Sequence, residues 1–298
     1  MYISDYLNSS VKGHSTLDFV DVFLNSDNRL FIDPSLIERG NDTWCKNATI
    51  IMSSFFDVLF NTMRSGGSTE LLFAHAGEQN ATKLGYGNGL NGKGKTAKGL
   101  DDCLQGLYPL VQAIPTVSRP QDIPVFVPGF AEDCMSDLLT NILHGHINDF
   151  TAEQMKKHGR EADLEKNFFT WNMSAKEWIE ISRPCWLHNN KELLLVPKHI
   201  VRKNFLFNTG QYLRRVILER VREENNWQDM SKKDIEANIS RDRENWSYDY
   251  VVDYTKKQPE ALRDYHKKLP SYYSEVGGCM TDEELDEVIY GCFIKYCA

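Results

Sequence analysis

The spacing of apolar residues constrains the fold most, because it switches along the chain between a helical period and short extended runs. Between residues 42 and 64, apolar side chains recur three or four positions apart, which predicts a core helix capped by Asp42 or Thr43. Helices are also expected at residues 97–113, 137–158 and 198–224. The sequence therefore predicts a helix-rich protein.

Short apolar runs between these helices predict strands. Residues 17–24 and 29–33 flank a turn-rich tetrapeptide, which favours a β-hairpin near residues 18–33. Further short strands are expected at residues 70–74, 123–127 and 193–196. The order of helices and strands contains no regular βαβ repeat. We therefore predict an α+β fold in which a few short strands pack with several helices.

The last part of the chain carries a clear amphipathic element. Thr281 and Glu284 match a capping box. One apolar stripe follows and is formed by Leu285, Val288, Ile289, Cys292, Phe293 and Tyr296. Such a stripe docks either on the chain's own core or on a partner, including a second copy of the chain. We divide the chain into a mixed α/β core, residues 1–225, and a helical region, residues 226–298, which can belong to the same domain.

Composition excludes several classes of protein. The net charge of -8 gives no overall attraction to a polyanion, so any contact with nucleic acid must be local. The sequence shows neither an apolar run long enough to cross a bilayer nor a signal-peptide pattern. Seven cysteines are scattered without a CxxC pair, which indicates reduced and buried thiols. We expect a cytoplasmic protein without a membrane partner.

One glycine-rich segment matches the P-loop pattern GxxxxGK[ST]. Its required positions are Gly89, Gly94, Lys95 and Thr96. A P-loop would bind a nucleoside triphosphate through backbone N–H groups and the lysine, with the hydroxyl on magnesium. The preceding residues 77–86 are polar and turn-like, whereas a P-loop follows a buried strand. The alternative is a flexible glycine loop over residues 85–96 or a simpler anion site.

An acidic segment lies where a predicted strand gives way to a predicted helix. Asp133 and Asp137 offer the oxygen ligands that Mg²⁺ or Mn²⁺ prefers, and phosphoester hydrolases hold such ions in this way. Along the helix, a polar stripe that can line a site is formed by Asp137, Asn141, His144 and Asn148. The alternative is that the carboxylates complement the helix dipole and the stripe faces water.

Two further carboxylates can complete a catalytic centre. Asp33 follows a predicted strand, and Glu78 lies in the polar segment before the glycine-rich loop. With Asp137 they would form the centre of a metal-dependent phosphoester hydrolase, such as a nuclease. The alternative function is a nucleotide- or protein-binding module without catalysis. That module would use the glycine-rich loop as an anion site and the C-terminal helix as a docking element.

Four stretches carry a resemblance to other proteins: LFIDPSLIE, LGYGNGLNGKGK, VFVPGFAEDCMSDLLTNIL and LLLVPKHIVR. Together they resemble uncharacterised bacterial proteins of mobile-element or phage-defence settings, over roughly residues 18 to 205. The stretches contain no motif with an assigned role, so no catalytic residue is carried over. The resemblance implies a hydrolase or nuclease of antiviral defence.

Overall fold

The computed structural model describes residues 1–8, 12–86 and 96–291. Its helices are, in chain order, α1 (Ile3–Tyr6), α2 (Pro34–Arg39), α3 (Thr43–Arg64), α4 (Glu70–Phe73), α5 (Ala97–Leu104), α6 (Tyr108–Ala113), α7 (Asp122–Phe126), α8 (Glu132–Ile142), α9 (His144–Lys157), α10 (Thr209–Tyr212), α11 (Leu218–Glu224), α12 (Lys232–Ile239), α13 (Trp246–Lys257), α14 (Glu260–Glu275) and α15 (Asp282–Tyr290). Short 3-10 helices lie at His14–Thr16, Gln105–Leu107 and Lys198–Ile200, and a π-helical segment, Leu213–Ile217, joins α10 to α11.

Two small antiparallel sheets complete the described fold. Their strands are β1 (Phe31–Ile32), β2 (Leu164–Asn172), β3 (Glu177–His188), β4 (Lys191–Leu193) and β5 (Val201–Arg202). Strand β1 pairs with β5, and the second sheet has the order β2-β3-β4. The predicted class, helix-rich α+β, is confirmed.

Helix α3 packs one face on the core and exposes the other, and the prediction for this segment is confirmed. The Asp42 side chain caps it by accepting a hydrogen bond from the backbone N–H of Cys45 at 2.9 Å. Its buried face includes Met52 and Phe55, and the ring of Phe55 meets the edge of Trp171 on β2 with 5.0 Å between centroids. Helical spacing of apolar residues thus brings α3 and the larger sheet together.

The predicted hairpin near residues 18–33 is wrong. Residues 17–24 form no named strand; Phe19 forms an isolated bridge with Pro197, and the N–H of Val20 donates to the carbonyl of Val196 at 3.0 Å. Strand β1 pairs with β5 rather than with residues 17–24. Apolar runs of this kind indicate an extended backbone but do not specify its partner, and here the partner lies far along the chain.

Two other predicted strands are helices. Residues 123–127 lie largely in α7, and residues 70–74 largely in α4. The run at α7 is buried on every side, so apolar spacing cannot distinguish a strand from a helix. Asp122 also accepts hydrogen bonds from the backbone N–H groups of Ser118 and Arg119, which fixes the turn that opens α7.

The other predictions were partly right. The helix at residues 97–113 is confirmed, with a 3-10 turn between α5 and α6. The helix at 137–158 is interrupted at Leu143, which separates α8 from α9. The region 198–224 contains β5 and becomes helical only at α10. Of the strand predicted at residues 193–196, only Leu193 lies in a strand, at the end of β4.

The sheet formed by β2 and β3 was not predicted. Its turn is closed by Asn172, whose side-chain oxygen accepts from the backbone N–H groups of Ser174 and Ala175 at 2.9 Å each. Phe168 and Trp171 of β2 are buried on opposite faces of this sheet, and the sheet contacts α3, α8 and α9. This sheet forms one wall of the candidate site.

The C-terminal helix α15 docks on the chain's own core. Its capping box is present, and Leu285, Ile289 and Tyr290 are buried. The remaining stripe residues, Cys292, Phe293 and Tyr296, lie outside the described residues. Buried residues before and after residue 225 belong to one continuous hydrophobic cluster. Among the described helices, none is long and apolar enough to cross a membrane.

Candidate active site

Four carboxylates lie together beside the polar segment that precedes the glycine-rich loop. Asp27 follows the N-terminal extended run, Glu78 lies in the segment after α4, and Asp133 and Asp137 lie on α8. The charges of Asp27 and Glu78 act on both α8 carboxyls and raise their pKa values. We call these four residues the acidic cluster.

Burial and mutual repulsion both disfavour the charged forms of the cluster. Burial, followed by the charge of Asp133, raises the pKa of Asp137 to about 8. Burial, followed by the charge of Asp27, raises the pKa of Asp133 to about 6. Burial also raises the pKa of Asp27, although Lys83 opposes this shift. A divalent cation between these carboxylates would relieve both costs.

The fold holds α8 and the segment carrying Glu78 against each other. Asp133 and Asp137 are four residues apart and therefore lie on one face of α8. The side-chain amide of Asn141, one turn further, donates to the carbonyl of Gly77 at 2.7 Å. The backbone N–H of Gln79 lies close enough to the carboxyl of Asp137 to lower its pKa. These contacts place Glu78 beside the same face of α8.

Gly85 permits Asp27 and Asp133 to approach each other. Its φ is +150°, a conformation that favours glycine, and a Cβ there would lie 3.1 Å from Oδ1 of Asp133 and 3.5 Å from Cβ of Asp27. The next residue, Tyr86, donates its hydroxyl to Glu132 at 2.7 Å. A side chain at position 85 would therefore crowd the acidic cluster.

A cleft of about 610 Å³ opens beside the acidic cluster and shares Glu78 with it. The cleft lies between the segment after α4, the junction of α8 and α9, and the sheet β2-β3-β4. Its lining residues are His75, Gly77, Glu78, Gln79, Asn80, Ala81, Asn141, His144, Lys166, Asn167, Phe168, Phe169, Asn190, Lys191 and Glu192. This volume suits a ligand of nucleotide size.

A buried carboxylate, Glu192, organises the wall that faces the cluster. Its Oε1 lies 3.0 Å from Nε2 of His144, and its Oε2 lies 2.7 Å from Nζ of Lys166. Burial alone would raise the pKa of Glu192, but these two partners outweigh burial and the pKa is lowered. Glu192 is therefore ionised, and it fixes the imidazole and the ammonium in the cleft.

Two aromatic pairs line the same cleft. The ring of His75 stacks on Phe169 with 3.6 Å between centroids, and Phe169 is 36% exposed. The ring of His144 stacks on Phe168 with 3.9 Å between centroids. An accessible aromatic face beside cationic side chains is the combination on which nucleobases stack.

Among the residues predicted for a site, the structure brings Glu78, Asp133 and Asp137 together. Asn141 and His144, from the predicted polar stripe, line the cleft. Sequence reasoning missed Asp27, which was assigned only to a turn. It also missed Lys166, Lys191 and Glu192, because the hairpin that carries them was not predicted. The sequence does carry a signal for the β2–β3 hairpin. The aromatic residues of β2 favour a strand, and Asn172, a residue that favours turns, follows them.

Asp33 does not join the acidic cluster. It follows β1, as predicted, but caps α2 by accepting from the backbone N–H of Ser35 at 2.8 Å. Its second oxygen accepts a hydrogen bond from the hydroxyl of Tyr273 on α14 at 2.6 Å. Burial raises the pKa of Asp33 to about 6, against these two bonds and the charge of Arg202. The contacts of Asp33 are those of a structural residue.

Asp33→Ala should therefore destabilise the fold by about 2 to 4 kcal/mol, because a helix cap and the acceptor for a buried hydroxyl are both lost. Urea denaturation with and without Mn²⁺ measures this loss. We expect the Mn²⁺-induced gain in stability to be the same in Asp33→Ala as in wild type. If Mn²⁺ did not stabilise Asp33→Ala, Asp33 would have to be a ligand of the metal.

The P-loop match lies mostly outside the described residues, which include neither Gly89 nor Gly94 nor Lys95. Thr96 is described, and its hydroxyl caps α5 by accepting from the backbone N–H of Gly99 at 3.1 Å. Residues 74–86 contain one isolated parallel bridge, between Asn28 and Leu84, and no strand. The described approach to the loop therefore lacks the core strand of a P-loop.

Fold and site together define a helix-rich α+β protein with an acidic cluster beside a lysine-containing cleft. A family model described as "Domain of unknown function (DUF8370)" matches residues 10–208, about two thirds of the chain. The chain belongs to this family. The matched region contains the four members of the acidic cluster and every lining residue of the cleft. Neither a search of curated proteins nor a search of solved structures found a match.

Proposed function

We propose that the protein is a metal-dependent phosphoester hydrolase that acts on nucleic acid or nucleotides. The observation that carries the proposal is that Asp27, Glu78, Asp133 and Asp137 lie near enough to act on one another's charge, and that Glu78 also lines the cleft. Oxygen ligands of this type suit Mg²⁺ or Mn²⁺. Such an ion, when bound, supplies positive charge to a phosphoryl oxygen and makes a bound water more acidic.

The wall of the cleft formed by β2 and β4 carries two lysines that can bind a phosphoester. Lys166 and Lys191 line the cleft, and the side chain of Lys166 is 42% exposed, so its ammonium can reach a phosphate while Glu192 orients it. A lysine acts on phosphate as a point charge and stabilises charge that develops on the phosphoryl oxygens. The acidic cluster binds the ion, and Lys166 positions the phosphate next to it.

The aromatic face favours a substrate that carries a base. Phe169 and His75 form a stacked pair in the cleft, and base stacking contributes about 1 to 3 kcal/mol per base. The net charge of -8 restricts nucleic-acid contacts to local cationic groups such as those of this cleft. Single-stranded nucleic acid in the cytosol is therefore the preferred substrate. A role in phage defence, implied by the resemblance, stays a prediction.

The test is Mn²⁺-dependent cleavage of a labelled single-stranded oligonucleotide, followed on denaturing gels. Lys166→Met should lower kcat/KM by about 10- to 100-fold, because one phosphate contact is removed from the transition state. The variant should keep its Mn²⁺-induced gain in thermal stability. Lys233→Met, at an exposed position on α12, is the matched control and should cleave like wild type.

Two outcomes would contradict the proposal. The first is wild-type protein that cleaves neither oligonucleotides nor simple phosphodiesters in the presence of Mg²⁺ or Mn²⁺. The second is a cleavage rate that is equal in Lys166→Met and wild type and survives EDTA. In that case the cleavage would not depend on the metal and would come from a site other than this cleft.

A further inference from the structure

Three donor side chains of different chemistry lie together at the start of α3, in a place not used by the acidic cleft. Nε2 of His199 lies 3.3 Å from Sγ of Cys45 and 3.3 Å from Oδ2 of Asp42. One ligand atom from each of the three residues lies within 4.8 Å of the other two. The thiol, the imidazole and the carboxylate therefore converge on a common point.

The fold fixes the position of each donor. Oδ1 of Asp42 caps α3 on the N–H of Cys45, which leaves Oδ2 directed at His199. His199 lies in the 3-10 helix before β5, which is held by the hydrogen bond from the N–H of Asp33 to the carbonyl of Ile200 at 2.9 Å. A Cβ on Gly40 would lie 2.2 Å from Sγ of Cys45, so any other residue there would displace the thiol. The three donors are preorganised.

The geometry distinguishes a metal site from a catalytic triad. In a cysteine–histidine–aspartate triad the thiol and the carboxylate bond to different ring nitrogens, because one nitrogen takes a proton while the other is held by the acid. Here both Cys45 and Asp42 face Nε2 of His199. Tetrahedral zinc with ordinary bond lengths places its sulfur and nitrogen ligands about 3.6 Å apart and its nitrogen and oxygen ligands about 3.3 Å apart. The observed separations are close to these values.

We propose that Asp42, Cys45 and His199 bind Zn²⁺, with solvent as the fourth ligand. A thiolate and an imidazole select zinc over magnesium, in contrast to the all-oxygen acidic cluster. The side chains of His199 and Asp42 are 39% and 46% exposed, so solvent reaches the metal position. On binding, the proton of the Cys45 thiol passes to solvent and a zinc–sulfur bond forms.

The test uses the full chain, freed of metal with a chelator and titrated with Co²⁺ as a spectroscopic substitute for Zn²⁺. In wild type, a thiolate-to-cobalt charge-transfer band and the d–d bands of a four-coordinate ion should saturate at one equivalent of bound Co²⁺, whereas Co²⁺ at the oxygen ligands of the acidic cluster would give no charge-transfer band. Zn²⁺ should then displace the cobalt and remove both sets of bands. Asp137→Asn should give the same spectrum, which separates this site from the acidic cluster.

Variants assign the ligands. Cys45→Ser should lose the charge-transfer band and weaken Zn²⁺ binding by at least about 100-fold, measured against a chromophoric chelator. Asp42→Asn retains a capping side chain and should also weaken binding, so loss of the fold does not explain the effect. Cys279→Ser, which removes an exposed thiol before α15, is the matched control and should bind like wild type.

The proposal is overturned if wild type binds no stoichiometric Co²⁺ or Zn²⁺ at micromolar concentration. In that event Cys45 and His199 form only a hydrogen bond. It is also overturned if the charge-transfer band persists in Cys45→Ser, or if Cys279→Ser abolishes it. Circular dichroism of each metal-free variant shows whether it is folded, and Asp42→Asn provides the decisive result if Cys45→Ser does not fold.

Discussion

Asp137→Asn should abolish the stabilisation of the protein by Mn²⁺ and should raise the stability of the metal-free protein at pH 8. Burial and the charge of Asp133 raise the pKa of Asp137 to about 8, so the metal-free fold favours the protonated acid. The stability that this group contributes is present below about pH 4, the ordinary range of an aspartate, and is lost as the pH rises through about 8. An asparagine is neutral at every pH and avoids this loss.

The two effects have opposite signs at pH 8. Without metal, we expect Asp137→Asn to exceed wild type in free energy of unfolding by on the order of 1 to 2 kcal/mol, after allowance for solvent screening. With Mn²⁺ at about 100 times its Kd, wild type should gain about 2.7 kcal/mol and Asp137→Asn should gain nothing. At pH 5 the advantage of the metal-free variant should shrink, because Asp137 is then protonated in the wild-type fold.

Urea denaturation at pH 5 and pH 8, with EDTA or with Mn²⁺, measures all four conditions. Asp229→Asn, at an exposed position before α12, is the matched control and should follow wild type. If millimolar Mg²⁺ or Mn²⁺ leaves the free energy of unfolding of wild type unchanged, the acidic cluster does not bind these ions. An equal Mn²⁺ effect in wild type and Asp137→Asn would place the ion elsewhere.

Truncation of the chain before Thr281 should cost about 5 kcal/mol or more, and the shortened chain should melt at least about 10 °C lower or fail to fold. The truncation removes Leu285, Ile289 and Tyr290 from the core, and each large buried side chain contributes about 1.5 to 3 kcal/mol. It also removes hydrogen-bonding partners of buried polar groups: Tyr290 donates its hydroxyl to Asp21, and Asp286 bonds to His14. The loss of apolar burial and the unpaired groups act in the same direction.

A milder pair of variants isolates the packing effect. Leu285→Ala should cost about 2 to 5 kcal/mol, because it opens a cavity at a residue with no exposed surface. Glu283→Ala, at an exposed position on the same helix, should change stability by less than about 0.5 kcal/mol. Thermal denaturation followed by circular dichroism compares them. Equal melting temperatures for the two variants would show that the packing of Leu285 does not stabilise the protein.

The sequence was most informative about long helices. Both α3 and α15 were predicted, caps included, because their capping residues and apolar spacing lie within one continuous segment. It was least informative about pairing between distant segments. Residues 17–24 were expected to pair with residues 29–33, but their backbone partners include Val196 and Pro197. Local patterns carry no information about a partner that folding brings from so far along the chain.

The same distinction holds for the candidate site. Asp133 and Asp137 were singled out because they cluster at the predicted start of a helix, and Glu78 was proposed beside them. Asp33 was grouped with them because it follows a strand, but its side chain turns to Tyr273. Lys166 and Glu192 lie on strands that the sequence did not reveal. Cys45 and His199 are 154 positions apart, so no local motif relates them.

The contacts between His14 and α15 set an order of events during synthesis. The backbone N–H of His14 donates to Asp286, which lies 272 positions later. A ribosome adds about 5 to 20 residues per second, so the early segment waits roughly 15 to 55 s for this partner. Until then the N–H of His14 lacks its acceptor on Asp286, and Asp21 lacks the hydroxyl of Tyr290, although the N–H of Ser4 can already donate to it. The nascent N-terminal segment therefore cannot form these contacts as it emerges, and its final structure has to await the synthesis of α15.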